Sequence, residues 1–298
     1  MKPVDISKIK HLYPFESKHI DINGLDYHYL DEGSGHPVLM LHGNPTWSFY
    51  YRNLVKAFSD RYRTIVPDHI GCGLSEKPGI DDYDYRLESR ISDLDHLISH
   101  LDLSEKLTLV VHDWGGMIGM TWAVRNPERI KRLVIMNTAA FPPPSSKPIP
   151  LRLQIVRNMT PFAVPAVLRF NLFAAGALYM ASHKGLAKDV KAGMIAPYNC
   201  PENRIATLKF VQDIPLKEND PGYSIVKNTK ENLGLLKDIP MLILWGAHDF
   251  VFDLDYFKEW EKHFPKAETH VFEDAGHYVL EDESDRIIEL IDIFLKQS

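Results

Sequence analysis

The 298-residue chain is short of four things, and each shortage narrows what it can be. It has only two cysteines, Cys72 and Cys200. They could pair, but a lone bridge in a chain this large is weak evidence of export, and this usage fits a reducing compartment. It has no basic excess: the net charge is −6, the wrong sign for a phosphate-backbone partner, so nucleic acid is not expected. No apolar run follows Lys2 to make a secretory leader, and a cytoplasmic location is expected. Long hydrophobic runs are missing too. The most apolar stretch, Leu151 to Ser182, is cut by Arg152, Arg157 and Arg169 into charge-free runs of 11 and 13 residues (158–168 and 170–182). A spanning helix needs ~20, so no membrane span is expected.

What is present is the composition of a globular chain, 45% hydrophobic and 25% charged. A chain of this length buries roughly three quarters of its extended surface, so it needs no staple. Continuous apolar runs at 38–41, 64–66, 107–111 and 133–136 read as parallel strands covered on both faces. Ile91, Leu94, Ile98 and Leu101 recur at helical spacing, which predicts an amphipathic helix over 88–101. The Asn23-Gly24 pair between two alternating runs predicts a hairpin. After Phe141-Pro142-Pro143-Pro144-Ser145-Ser146 the rhythm becomes helical for about eighty residues, and strand signals return at 241–245 and 269–272. A final helix is expected around Ile287 to Phe294. The fold class is therefore α/β with a mostly parallel sheet. The expected division is a core in two parts, 1–141 and 226–298, interrupted by a helical cap over 142–225.

In open α/β sheets the chemistry gathers at the carboxyl ends of strands. Four runs end in polar groups of catalytic type: His42-Gly43-Asn44-Pro45, His112-Asp113-Trp114-Gly115-Gly116, Gly246-Ala247-His248-Asp249 and Glu273-Asp274-Ala275-Gly276-His277. The strand, turn, helix context of Asp113 is that of a nucleophile elbow, with aspartate where the serine of G-x-S-x-G stands. Val111 departs from that motif's first glycine. An aspartate there can also serve as a helix cap.

These segments, together with Asp68-His69-Ile70-Gly71-Cys72-Gly73-Leu74-Ser75, resemble the α/β-hydrolases, and within them the haloalkane dehalogenases. The resemblance covers nearly the whole chain and is weakest between 142 and 230. It implies Asp113 as nucleophile, His277 as base and Asp249 as the acid behind the base. It also implies Asn44 and Trp114 as donors, through the side-chain amide and indole N–H to a leaving halide and through their backbone N–H groups to an oxyanion. The acid of such enzymes sits either after the strand following the nucleophile or one strand later; the earlier position holds Asn137, which carries no charge, and this leaves Asp249. Asp253 and Asp255 lie close by, and Asp274 reads as a loop acid. His42 and His112 are expected to be structural and to face away from the cavity.

Chemically, a carboxylate can displace a leaving group from an sp³ carbon without a base, and water activated by His277 then cleaves the ester. The cap residues Phe162, Val164, Val167, Leu168, Phe170, Leu172, Phe173, Leu178 and Met180 are expected to roof a hydrophobic pocket, so the expected partners are a hydrophobic small molecule and water. No metal or cofactor is implied. The first functional expectation is haloalkane dehalogenation. The second is β-lactone decarboxylation in long-chain olefin synthesis, which the Asn137 and Asp249 arrangement also resembles. The third is epoxide hydrolysis, which would need a cap tyrosine, Tyr179 or Tyr198, over Asp113.

Overall fold

A computed structural model describes residues 2–103, 105–144 and 148–297. Ser145 and Ser146 of the proline-rich turn, and Met1 and Ser298 at the outer limits of the expected core, lie outside the described residues. The strands are β1 (Lys18–Ile22), β2 (Leu25–Glu32), β3 (Pro37–Leu41), β4 (Arg63–Pro67), β5 (Leu107–Asp113), β6 (Ile130–Thr138), β7 (Met241–Gly246) and β8 (Glu268–Phe272). They form one sheet in the order β1-β2-β4-β3-β5-β6-β7-β8. β1 and β2 pair antiparallel, as do β2 and β4; every later pair is parallel. The hairpin turns where the sequence predicts, with Asn23 at φ 55° and Gly24 at φ 85°, the left-handed pair that a two-residue turn needs.

The apolar runs form strands because both faces are covered. Alternate residues of β3, β5, β6 and β7 enter two separate cores. Leu39, Leu41, Leu109, Val111, Ile135 and Trp245 face one layer of helices, and Val38, Met40, Val110, Val134, Met136 and Leu244 face the other. Around the sheet lie α1 (Arg52–Phe58), α2 (Leu87–His100), α3 (Trp114–Arg125), α10 (Leu254–His263), α11 (Val279–Asp282) and α12 (Ser284–Lys296).

Between β6 and β7 the described chain forms α4 (Leu151–Asn158), α5 (Thr160–Val164), a π turn (Pro165–Arg169), α6 (Leu172–Met180), α7 (Lys188–Ile195), α8 (Ile205–Gln212) and α9 (Tyr223–Asn232). α9 packs on α3 of the core, where Thr121 and Thr229 share a hydrogen bond of 2.9 Å. Among the described residues no single helix is long and apolar enough to cross a membrane.

Candidate active site

Asp113 ends β5 with φ 51° and ψ −128°, a backbone strain concentrated where the chain turns from strand into α3. The turn needs glycine next to it: a Cβ on Gly115 would fall 2.0 Å from the carbonyl oxygen of Leu41. Asp113 makes no side-chain cap to α3, so it is not the helix cap that its position also allowed. Its Oδ1 instead accepts the backbone N–H of Asn44 at 2.6 Å, and the Trp114 amide also favours the charged carboxylate. Its Oδ2 stands 3.5 Å from Nε2 of His277.

His277 lies between two carboxylates. Its Nδ1 donates to Oδ2 of Asp249 at 2.8 Å. A carboxylate can only accept, so this bond fixes the proton on Nδ1 and turns Nε2 toward Asp113. Asp249 is held by further donors: the amides of Val251 and Phe252 bond Oδ1 at 2.6 and 3.0 Å, and the side-chain amide of Asn137 bonds Oδ2 at 3.0 Å. Asn137 is in turn fixed to β7, accepting from Gly246 N–H at 2.8 Å. Asn137, at the earlier of the two expected acid positions, thus orients the Asp249 carboxylate.

Burial pushes the Asp113 carboxyl above its ordinary range, and His277 and the two amides offset part of that rise. Burial opposes the His277 imidazolium, but the charge and hydrogen bond of Asp249, with Asp113 behind them, outweigh it and raise its pKa. Both groups are thus shifted upward, and the charge of each bears on the protonation of the other. That dependence is invisible in the sequence.

Asn44, Asp113, Trp114 and His277 line a cavity of about 300 Å³. The rest of its wall is largely apolar and includes Leu153, Val167, Leu172, Phe173, Met180 and Phe252. The expected roof is only partly right. Val167, Leu172, Phe173 and Met180 line the cavity, whereas Phe162 and Phe170 are 66% and 62% exposed, because no neighbour covers that side of the helices. Tyr179 is exposed, and the hydroxyl of buried Tyr198 points to the carbonyl of Thr46; neither of these two cap tyrosines lines the cavity.

His42 and His112 are structural, as expected. His42 donates to the carbonyl of Gly43 and accepts from the His69 amide, and His112 bonds the carbonyl of His277 at 2.8 Å. The Asn44 amide nitrogen donates one of its two hydrogens to the carbonyl of Thr207, in α8, at 3.0 Å, and its Oδ1 is buried without a partner. A backbone carbonyl leaves no trace in sequence, so this contact could not be foreseen. Among the described residues the Trp114 indole N–H has no hydrogen-bond partner, and Trp114 borders the cavity.

Two further residues escaped the sequence reading. Arg90, fully buried on α2, stacks over Phe210 at 3.7 Å and lies 5.9 Å from the Trp114 ring, placing a cation behind that wall. Its signal was its place four residues before Leu94, on the apolar stripe. Asp282 joins the His277 loop to the inserted helices: it accepts from Gly276 N–H at 2.8 Å and from Ser182, His183 and Lys184 at 2.6, 2.9 and 3.0 Å.

A family model described as the alpha/beta hydrolase fold matches residues 36–284. Among curated proteins, the chain is 50% identical over 288 residues to a cis-3-alkyl-4-alkyloxetan-2-one decarboxylase from Shewanella oneidensis, covering 96% of this chain and 90% of that one. It is 30% identical over 289 residues to haloalkane dehalogenase 2 of Mycobacterium bovis, covering 97% and 98%. Among solved structures, the haloalkane dehalogenase DatA from Agrobacterium tumefaciens C58 superposes with a TM-score of 0.83 at 26% identity, over 94% of this chain and 96% of that one. The chain belongs to the alpha/beta-hydrolase fold family, in the group that resembles haloalkane dehalogenases and oxetan-2-one decarboxylases.

Proposed function

We propose that the chain is a β-lactone decarboxylase that converts cis-3,4-dialkyl oxetan-2-ones to alkenes and carbon dioxide, with Asp113 as nucleophile. This reverses the order expected from sequence, where dehalogenation stood first. The observation that carries the choice is the 50% identity to a relative of that name across 96% of the chain, against 30% to a dehalogenase. The division into a core of 1–141 and 226–298 and a cap of 142–225 belongs to the same proposal, the cap roofing a cavity whose apolar walls suit alkyl chains.

The chemistry follows from the two oxygens of Asp113. Oδ1 is held by the Asn44 amide, so Oδ2 is the attacking atom. It bonds to ring carbon C4 while the C4–O bond breaks, releasing strain and leaving a carboxylate on C3. That carboxylate takes the place of a halide and meets the Trp114 indole N–H. The C3–carboxylate electron pair then forms the C3–C4 double bond, carbon dioxide departs, and the C4–Oδ2 bond breaks to regenerate Asp113. No water is consumed and no net proton moves. Inversion at C4 followed by anti loss gives a cis alkene from a cis lactone. His277, oriented by Asp249, keeps its proton and so keeps Asp113 ionised as the base line of the cycle.

The test is a pair of substrates. Purified enzyme with a long-chain cis-3,4-dialkyl oxetan-2-one should release carbon dioxide and cis alkene, and Asp113→Asn should abolish both. With 1-bromoalkanes bromide release should be at least about a hundredfold slower, two powers of ten being near 3 kcal/mol of transition-state preference. Rapid bromide release with no alkene from the lactone would reinstate dehalogenation.

A further inference from the structure

The inserted helices carry a charge and a surface unlike the rest of the molecule. From 148 to 191 the sequence holds six basic residues and one acid, Asp189, in a chain whose net charge is −6. Arg157 and Lys184 are committed to Asp220 and Glu283. Among the described residues Arg152, Arg169, Lys188 and Lys191 have no carboxylate partner. Three of these instead lie beside aromatic rings: Arg152 over Phe250 at 4.9 Å, Arg169 over Phe170 at 5.7 Å and Lys191 over Tyr179 at 4.3 Å.

The same segment exposes apolar bulk. Eight of the twelve large hydrophobic residues exposed among the described residues fall between 151 and 180. Leu151, Ile155, Met159 and Phe162 follow one another at intervals of four, four and three, and backbone bonds from Met159 to Ile155 and from Ala163 to Met159 carry the helical turn across the break between α4 and α5. They make one stripe, on which Leu151 is 71% and Phe162 66% exposed. The apolar surface continues to the cavity, since Leu172 and Met180 are 60% and 43% exposed and also line it. Arg152 reaches Met180 Sδ at 2.7 Å, so α4 meets the end of α6 there.

We propose that this face docks the protein onto an anionic lipid bilayer, with the stripe and the cavity mouth in the interfacial region. Apolar side chains interleaved with unpaired cations suit that surface. The helices are placed along the bilayer, since among the described residues no single helix is long and apolar enough to cross it and the segments Thr160–Arg169 and Leu172–Met180 are bent by 74° where they meet. A second copy of the chain is the wrong partner, since two such faces would bring like charges together. The consequence is a route by which a lipophilic substrate passes from lipid to Asp113 without crossing water. It holds whichever lipophilic substrate the site accepts.

The test is flotation with extruded vesicles of phosphatidylcholine alone or mixed equally with phosphatidylglycerol. The protein should float with the mixed vesicles only and be released as sodium chloride rises, because added salt shortens the screening length. Leu151→Glu with Phe162→Glu should lower the bound fraction about tenfold or more, while turnover of a soluble short-chain substrate in lipid-free buffer stays unchanged, neither residue lining the cavity. Arg169→Gln with Lys188→Gln and Lys191→Gln should abolish the preference for phosphatidylglycerol. The proposal is overturned if the wild type fails to float with mixed vesicles, or if the double glutamate variant floats equally well. Self-association through this face in lipid-free buffer, reversed by the same double variant and without flotation, would assign it to a second copy and overturn it too.

Discussion

Gly43→Ala adds one methyl group, and its cost can be worked from the site. The backbone at Gly43 is not left-handed, so alanine is conformationally acceptable there and contact alone decides the outcome. A Cβ built on Gly43 falls 1.9 Å from Oδ1 of Asp113 and 2.3 Å from its Cβ. Ordinary contact begins near 3.4 Å, so the carboxylate and the loop must separate by about 1.5 Å. Neither gives way freely. Oδ1 is bonded to the Asn44 amide, the Asp113 carbonyl accepts from the Thr138 hydroxyl, and β5 is paired with β6 up to Thr138. Displacing a reacting group by about 1 Å costs around a hundredfold in rate, so kcat/KM should fall by at least about a hundredfold. Overpacking of this kind costs about 1–3 kcal/mol of stability. Steady-state alkene formation and thermal unfolding measured together separate the two effects, with Gly234→Ala as control because a Cβ there meets nothing within 4 Å. A Gly43→Ala enzyme that keeps kcat/KM within about threefold of wild type, against the hundredfold expected for such a displacement, would refute the assignment of Asp113 and its amide cradle.

Trp114→Phe keeps the ring and deletes the indole N–H; it should cost about 2 kcal/mol of transition-state stabilisation, roughly thirtyfold in kcat, with little change in Tm. Asn137→Leu removes a donor from Asp249 and should lower kcat about tenfold while destabilising by about 1–3 kcal/mol, read by kinetics and denaturant titration. Lactone turnover needs an ionised Asp113 and a protonated His277, so its rate should rise as pH falls through the raised His277 pKa and drop only when Asp113 protonates; an acid limb already complete above the ordinary histidine pKa of 6.5 would point to a neutral imidazole base and hydrolysis. Asp93, buried on α2, has its pKa pushed up to about 6 by burial, against an ordinary 3.8. The folded state therefore binds more protons between those values and stability falls as pH rises through them. Asp93→Asn should stabilise by at most about 3 kcal/mol above pH 6, a gain that vanishes near pH 3.8 in thermal melts.

The sheet was readable because parallel strands covered on both faces are continuous apolar runs, and 107–111 or 241–245 had no other reading at that length. Helix α2 was readable from Ile91, Leu94 and Ile98, yet the buried Arg90 and Asp93 on the same helix were not, because burial of a charge depends on Phe210, Asp213 and Tyr83, which the fold brings from elsewhere. The place of the candidate residues was legible from one rule, that polar groups following buried parallel strands meet at one end of the sheet, and Asn44, Asp113, Asp249 and His277 do meet there; their roles came only from the resemblance to haloalkane dehalogenases. The roof was harder. Hydropathy marks Phe162 and Phe173 alike, but only packing decides that Phe173 faces the cavity and Phe162 the exterior.

The Asp282 carboxylate has a consequence for redesign. It grips Gly276 beside the histidine and Ser182, His183 and Lys184 beside the roof, and Tyr278 N–H closes the same corner on the carbonyl of Ala181 at 2.7 Å. On the proposed function, substrate preference and proton handling are thus soldered at one joint. A helical segment grafted from a relative would transfer its selectivity only if residues 181–184 travelled with it and still matched residue 282; a graft that broke this joint would let the imidazole drift and would be mistaken for a change in taste.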